Sequence, residues 1–183
     1  MSPILGIIAS QNYPRVTSSY ESIATVTVGS GGSSSISFSS IPSTYKHLQI
    51  RGICAGSGNS AEWLNVNLNG TTSVRSHALY GTGSAAGTQA TANSFIGLAI
   101  TQLAAGASIF GAFIVDVLDY ANTNKNKTVR GLAGREQNGY GTSYVTLGSS
   151  LYNSTTAVSS ITITPESALF AQYSQFALYG IKG

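Results

Sequence analysis

Along most of this chain, hydrophobic and polar side chains alternate with a period of two, as in strands that bury one face. The alternation is clean over residues 34–41, SSISFSSI, through Ile36 and Phe38. It recurs over residues 45–53, where Leu48, Ile50 and Gly52 point one way and His47, Gln49 and Arg51 the other. It returns in Leu64, Val66 and Leu68, in the β-branched run VSSITIT at residues 158–164, and in residues 174–181. In residues 20–28, Ile23 falls out of phase with Val26 and Val28, which predicts a bulge or a one-residue shift. The longest apolar run is residues 109–118; the Asn-rich segment 121–127 and a second run, 128–133, follow it. Run, polar turn and return predict a β-hairpin at the centre of the fold.

The punctuation between these runs is that of an all-β chain. Gly- and Ser-rich loops fall at residues 29–33 and 56–60, and a turn at Pro42. Asn69-Gly70 predicts a hairpin turn into a return strand at residues 73–80, because both residues accept positive φ. The small-residue stretch 81–93 reads as a long exposed loop, a candidate contact region. Residues 94–100 read as another strand, with a helical turn in the connection at residues 102–105. No ten-residue window carries helical periodicity. About ten short strands predict an antiparallel β-sandwich of the jelly-roll or Greek-key kind, a single domain over residues 20–183. Residues 1–19 are different, an apolar run PILGIIA followed by SQNYPR. They read either as an edge strand or as an extended N-terminal arm that adds to a neighbouring subunit. On the second reading Ile4, Leu5, Ile7, Ile8, Tyr13 and Arg15 are the contacts with subunit or shell.

Composition narrows the function. Only 8% of residues are charged, against about 25% in an average protein. With 42% hydrophobic residues and a net charge of +3, the chain reads as folded rather than disordered. Little charge means little repulsion between copies, which suits a subunit packed among others. The basic balance is scattered, and its nearest approach to a patch, Lys125, Lys127, Arg130 and Arg135, reads as a solvated turn with ion pairs rather than a nucleic-acid site. The N-terminal run has no basic segment before it and no span approaches 18 apolar residues, so neither a signal peptide nor a membrane partner is expected.

Candidate chemistry is sparse. Cys54 is the sole cysteine and lies in an apolar strand, which predicts a buried, inert thiol. His47 and His77 have no acidic or cysteine neighbour at metal-ligand spacing, so no metal and no cofactor is expected. Asp116 and Asp119 sit three apart, on opposite faces of a strand unless the second lies past its end. Asp116 is expected to pair with Arg130 or Lys127 across the hairpin, and Asp119 to cap the turn by bonding the backbone of Ala121 or Asn122. Asp116, Asp119, Asn122, Lys127 and Arg130 together read as a turn lock or a subunit contact. A cation site on Asp119, Asn122 and Asn124 would lack the acidic count of a strong Ca²⁺ site. Tyr140, Tyr144 and Tyr152 lie near predicted loops and are candidate glycan platforms, beside the plainer reading of edge packing. No catalytic set emerges, and no enzyme is expected.

The central stretch GAFIVDVLDYANTNKNKTVRGLAG resembles a segment of tailed-bacteriophage virion proteins. The resemblance extends to MSPILGIIASQ, to YESIATVTVGSGGSSSISFSSIPSTYKHLQIRGI, to SSITITPESALF and to the terminal FALYGIKG, so it covers nearly the whole chain. It implies a small jelly-roll-type module used as a capsid decoration (cement) protein, a head fibre or a tail-fibre tip. A compact decoration subunit is the expectation drawn from it: homotrimeric in the family pattern, on the capsid surface of a virion, with the major capsid protein or a neighbouring virion protein as partner. The alternative it leaves is a head-fibre or tail-fibre tip module that binds host surface glycan.

Overall fold

The computed structural model describes residues 18–57, 62–71, 74–92, 99–102, 108–137 and 142–183. The arm contacts expected at Ile4, Leu5, Ile7, Ile8, Tyr13 and Arg15 lie outside these residues, as do Tyr140 and most of the expected helical turn.

Among the described residues the protein is built of strands alone: β1 (Tyr20–Thr27), β2 (Ile36–Phe38), β3 (His47–Gly56), β4 (Glu62–Leu68), β5 (Val74–Gly81), β6 (Ala86–Ala92), β7 (Ala99–Gln102), β8 (Gly111–Leu118), β9 (Lys127–Arg135), β10 (Tyr144–Tyr152), β11 (Ile161–Pro165) and β12 (Gln175–Ile181). Eight strands form one antiparallel sheet in the order β1-β12-β3-β8-β9-β10-β5-β6. Three form a second, β2-β11-β4. The short β7 joins the two, parallel to β3 and antiparallel to β4. Strands β8, β9 and β10 follow one another by hairpins, and β5, reached through a long connection, lies beside β10, which is a Greek-key arrangement.

The core lies between the two sheets. Leu48, Ile50 and Cys54 of β3, Phe113, Val115 and Val117 of β8, and Phe176 and Leu178 of β12 face Ile36, Phe38, Leu64, Val66, Leu68, Ile161 and Ile163 of the smaller sheet. Phe176 packs against Phe113 and Phe170, with centroids 5.9 Å and 4.8 Å away. Gly52 is forced by this packing, because a Cβ there would collide with the Phe113 ring. Cys54 is buried, and burial raises its thiol pKa, which keeps it protonated and inert.

The central hairpin forms as the pattern predicts, with Asp116 opposite Arg130 and Leu118 opposite Thr128. The irregularity expected near Ile23 is present as a register shift between Ser22 and Ala24. Two expectations are corrected. Asn69 and Gly70 do turn, with φ of 51° and 69°, but they do not make a hairpin: β4 pairs with β11 and β7, while β5 pairs with β10 and β6. The reason is tertiary. Asn69 Oδ1 accepts the Ser159 and Ser160 amides at 2.9 and 3.1 Å, and its Nδ2 donates to the Ala157 carbonyl at 2.9 Å, so the turn is fastened to the chain entering β11 and β5 departs to the other sheet. The second correction concerns residues 81–93. Among the described residues 81–92 only a tight turn is loop, closed by the Thr82 amide on the Ala85 carbonyl at 2.9 Å. The chain then returns as β6, which runs antiparallel along β5.

Candidate interaction surface

The eight-stranded sheet has an inner face toward the core and an outer face toward solvent. Alternation along β8, β9 and β10 sends Ile114, Leu132, Val145 and Leu147 outward. The register then aligns them across strands: Ile114 opposite Leu132, Leu132 opposite Leu147, and Leu147 opposite Leu79 of β5. Ile53 of β3 and Val145 flank this row. These six aliphatic side chains are between 39% and 58% exposed. They form a contiguous apolar belt, and such a patch marks a place where another surface packs. Covering it would stabilise a contact by roughly 1 kcal/mol per side chain.

Glycines and alanines among the aliphatics leave the belt grooved rather than flat. One trough of about 300 Å³ is lined by Ala112, Ile114, Leu132, Gly134 and Val145. A side chain at Gly134 would meet no neighbouring atom. A second trough, of about 310 Å³, lies between Ile114, Leu132, Leu147 and the Asp116–Arg130 pair. A third, of about 390 Å³, runs from Leu147 and Leu79 to Thr88 and Ala90 of β6. These are shallow seats for side chains of a partner, not an enclosed pocket for a small molecule.

A polar ladder borders the belt one register step away. Arg130 Nε donates to Asp116 Oδ2 at 2.9 Å, Gln49 Nε2 to Asp116 Oδ1 at 2.7 Å, and Arg51 Nε to Gln49 Oε1 at 2.6 Å. The Arg51 guanidinium lies 5.2 Å from the Tyr20 ring centre and 5.4 Å from that of Tyr179, which fixes its plane by cation–π contact. Of the two partners expected for Asp116, the structure selects Arg130.

The end of the hairpin is a lock of a different kind. Lys127 is fully buried. Its ammonium donates to the carbonyls of Asn122 and Thr155, each at 2.6 Å, and reaches those of Lys125 at 3.3 Å and Ser154 at 3.4 Å. It thereby ties the β8–β9 turn to the chain that leaves β10. Burial lowers its pKa, and the ring of carbonyl dipoles is what keeps a cation tenable there. Asp119 sits just past β8 with φ of 49°, a left-handed conformation that Asp tolerates. Its carboxylate does not bond the backbone of Ala121 or Asn122, as expected from sequence; it is held by Lys125 and by Lys46, the latter at 3.0 Å. Those two ammonium partners, Lys125 first, bring the Asp119 pKa down to about 2. The Asp119 amide donates to His47 Nδ1 at 2.9 Å. That nitrogen therefore carries no proton, and its 3.6 Å approach to the carboxylate is not an ion pair. The local backbone turn is made by Asn122 instead, whose Oδ1 accepts the Asn124 amide at 2.7 Å.

The five residues expected to form a turn lock are thus brought together as two groups, Asp116 with Arg130 on the outer face, and Asp119, Asn122 and Lys127 at the turn. The basic cluster is dispersed: Lys127 and Arg135 are buried, while Lys125 and Arg130 are held by carboxylates. Of the three tyrosines offered as glycan platforms, the structure describes Tyr144 and Tyr152. Tyr152 is 2% exposed and presents no face to a ligand. Tyr144 packs its ring on Trp63 and Tyr80, with centroids 6.2 and 5.8 Å away, and the Arg135 guanidinium lies 4.7 Å from its centre. Sequence reasoning missed the belt. Its signal was present in Val145, Leu147 and Leu132, but only facing and register join them. Among the described residues no group of three His, Cys, Asp or Glu side chains is placed to hold a metal. No protein-family model matches the chain, and neither does any curated protein or solved structure.

Proposed function

We propose that this chain is a non-enzymatic structural subunit of a bacteriophage virion: a capsid decoration protein that binds and stabilises the major capsid shell, anchored by residues 1–15. The observation that carries the reading is the apolar belt on the outer face of the eight-stranded sheet. A belt spread over five neighbouring strands, from β3 to β5, with shallow troughs, suits a protein partner rather than a metabolite. The scarcity of charge, with nine basic and six acidic residues in 183, suits close packing among many copies. The resemblance of residues 111–134 and of the flanking stretches to tailed-phage virion proteins names the assembly, and a homotrimer on the capsid surface is the form it implies. The polar ladder at the border of the belt gives such a contact its register.

The test is occupancy on the particle. A chain lacking residues 1–15 is expected to fold, with a single cooperative unfolding transition, and to be missing from purified particles. Particles carrying the truncated subunit at the normal copy number would overturn the proposal.

A further inference from the structure

The belt lacks a cover among the described residues, and the chain itself supplies a fitting one. We propose that, in the free subunit, residues 4–8 of the same chain lie across the outer face of the eight-stranded sheet and seat Ile4, Leu5, Ile7 and Ile8 in the troughs around Leu132. The inference concerns the isolated chain in solution and does not depend on the virion reading.

Reach permits it. The described residues begin at Ser18, two positions before β1, at the edge of the sheet. Residue Thr25 of β1 shares a register row with Ala177, Arg51, Ile114 and Leu132, so the belt lies four strands across and about seven residues along from Ser18. At about 4.8 Å per strand and 3.4 Å per residue, the diagonal is roughly 30 Å. Ile8 and Ile4 precede Ser18 by ten and fourteen residues, and extended chain of that length spans roughly 33–46 Å. A tether of this reach holds the segment near the belt at an effective concentration of about a millimolar, which favours the chain's own arm over a second copy.

Chemistry selects the same occupant. Residues 2–14 carry no charged side chain. The belt is aliphatic, and the rows around it carry Arg51, Arg75 and Arg130 against Asp116 and Glu136. Two such faces packed on each other would bring like charges together, whereas an uncharged aliphatic segment meets no such penalty. In a virion the arm would then be a latch: it leaves the belt to engage the shell, and free subunits stay single until they meet one.

Arg15 supplies the test, because it is the sole trypsin site ahead of Lys46. In the full-length protein, cleavage after Arg15 is expected to be slow and independent of protein concentration. Leu132→Asp, at an exposed position that leaves the core intact, is expected to speed that cleavage at least tenfold; Leu147→Asp, a second variant, should do the same. An unchanged rate in both variants overturns the proposal. Protection that appears only as the protein is concentrated puts the arm of another copy on the belt and overturns the assignment to the chain's own arm. Particle occupancy is not read in this experiment, so its failure leaves the virion reading standing, and the reverse.

Discussion

Two halves of one sheet obey opposite rules. In the half made by β3 and β8, the inner face is Leu48, Ile50, Phe113, Val115 and Val117, and the outer face carries the Gln49, Arg51 and Asp116 ladder beside Ile114. In β10 the pattern inverts. Thr146, Gly148 and Ser150 point inward, with the Ser150 hydroxyl donating to that of Ser76 on β5 at 2.8 Å, while Val145, Leu147 and Leu151 point outward. A strand that turns its aliphatic side chains to solvent and its hydroxyls to the interior gains nothing from that arrangement as an isolated fold. The difference assigns separate tasks. The β3–β8 half makes the core, and the outer face from β8 to β5 is shaped for a contact.

The comparison breaks most visibly in the core. Ile50→Ala removes a fully buried side chain between the sheets, and is expected to cost about 2–5 kcal/mol in chemical unfolding. Lys127→Met comes next. It leaves the Asn122 and Thr155 carbonyls without the ammonium that joins them, and a loss of about 2–4 kcal/mol is expected from the abandoned acceptors. A Lys127→Met protein as stable as the parent would mean that the turn is held by its backbone alone.

The hairpin, the bulge near Ile23 and the facing of β3 were legible in sequence because each depends on the period of two and on neighbours in the chain. A cross-hairpin partner for Asp116 was legible for the same reason, as Arg130 or Lys127, and the observed register selects Arg130. Asn69-Gly70 was misread because its turn chemistry is local while its partner, the segment 157–160, is some ninety residues away. Strand β6, AGTQATA, has no large apolar residue to announce it and exists because β5 offers an edge. The belt was illegible in a stronger sense. Hydrophobicity along β10 argues for burial of Val145, Leu147 and Leu151, and only the assembled sheet shows that the opposite face is inside.

Acid separates the turn lock from the rest of the sheet. Asp119 has its pKa lowered to about 2 by Lys125 and Lys46, below the ordinary aspartate value, so it binds its proton less readily folded than unfolded. Its contribution is complete above about pH 4 and is lost as pH falls toward 2. The partners are largely exposed, with Lys46 and Lys125 each at 55%, so the pairs are worth about 1 kcal/mol or less at neutral pH. Asp119→Asn is expected to lower stability by that amount at pH 7 and to flatten the pH dependence between 4 and 2. An acid profile identical to the parent would place the sensitivity at another carboxylate.

The smallest expected change in stability is the sharpest test of the inverted strand. Leu147 is a large aliphatic on a central strand, and Leu→Ala in a core costs about 2–5 kcal/mol. Here the side chain is 54% exposed, opposite Leu79 and Leu132, which are exposed to similar degrees. Leu147→Ser is therefore expected to cost at most about 1 kcal/mol, from its remaining lateral contacts and from whatever covers the belt. The same substitution should weaken the contact made by the belt by more than it weakens the fold, because a partner's side chains lose their seat between Leu79 and Leu132. If Leu147→Ser unfolds the protein as readily as Ile50→Ala, the outer face of β10 is part of the core and the division of tasks across the sheet is wrong.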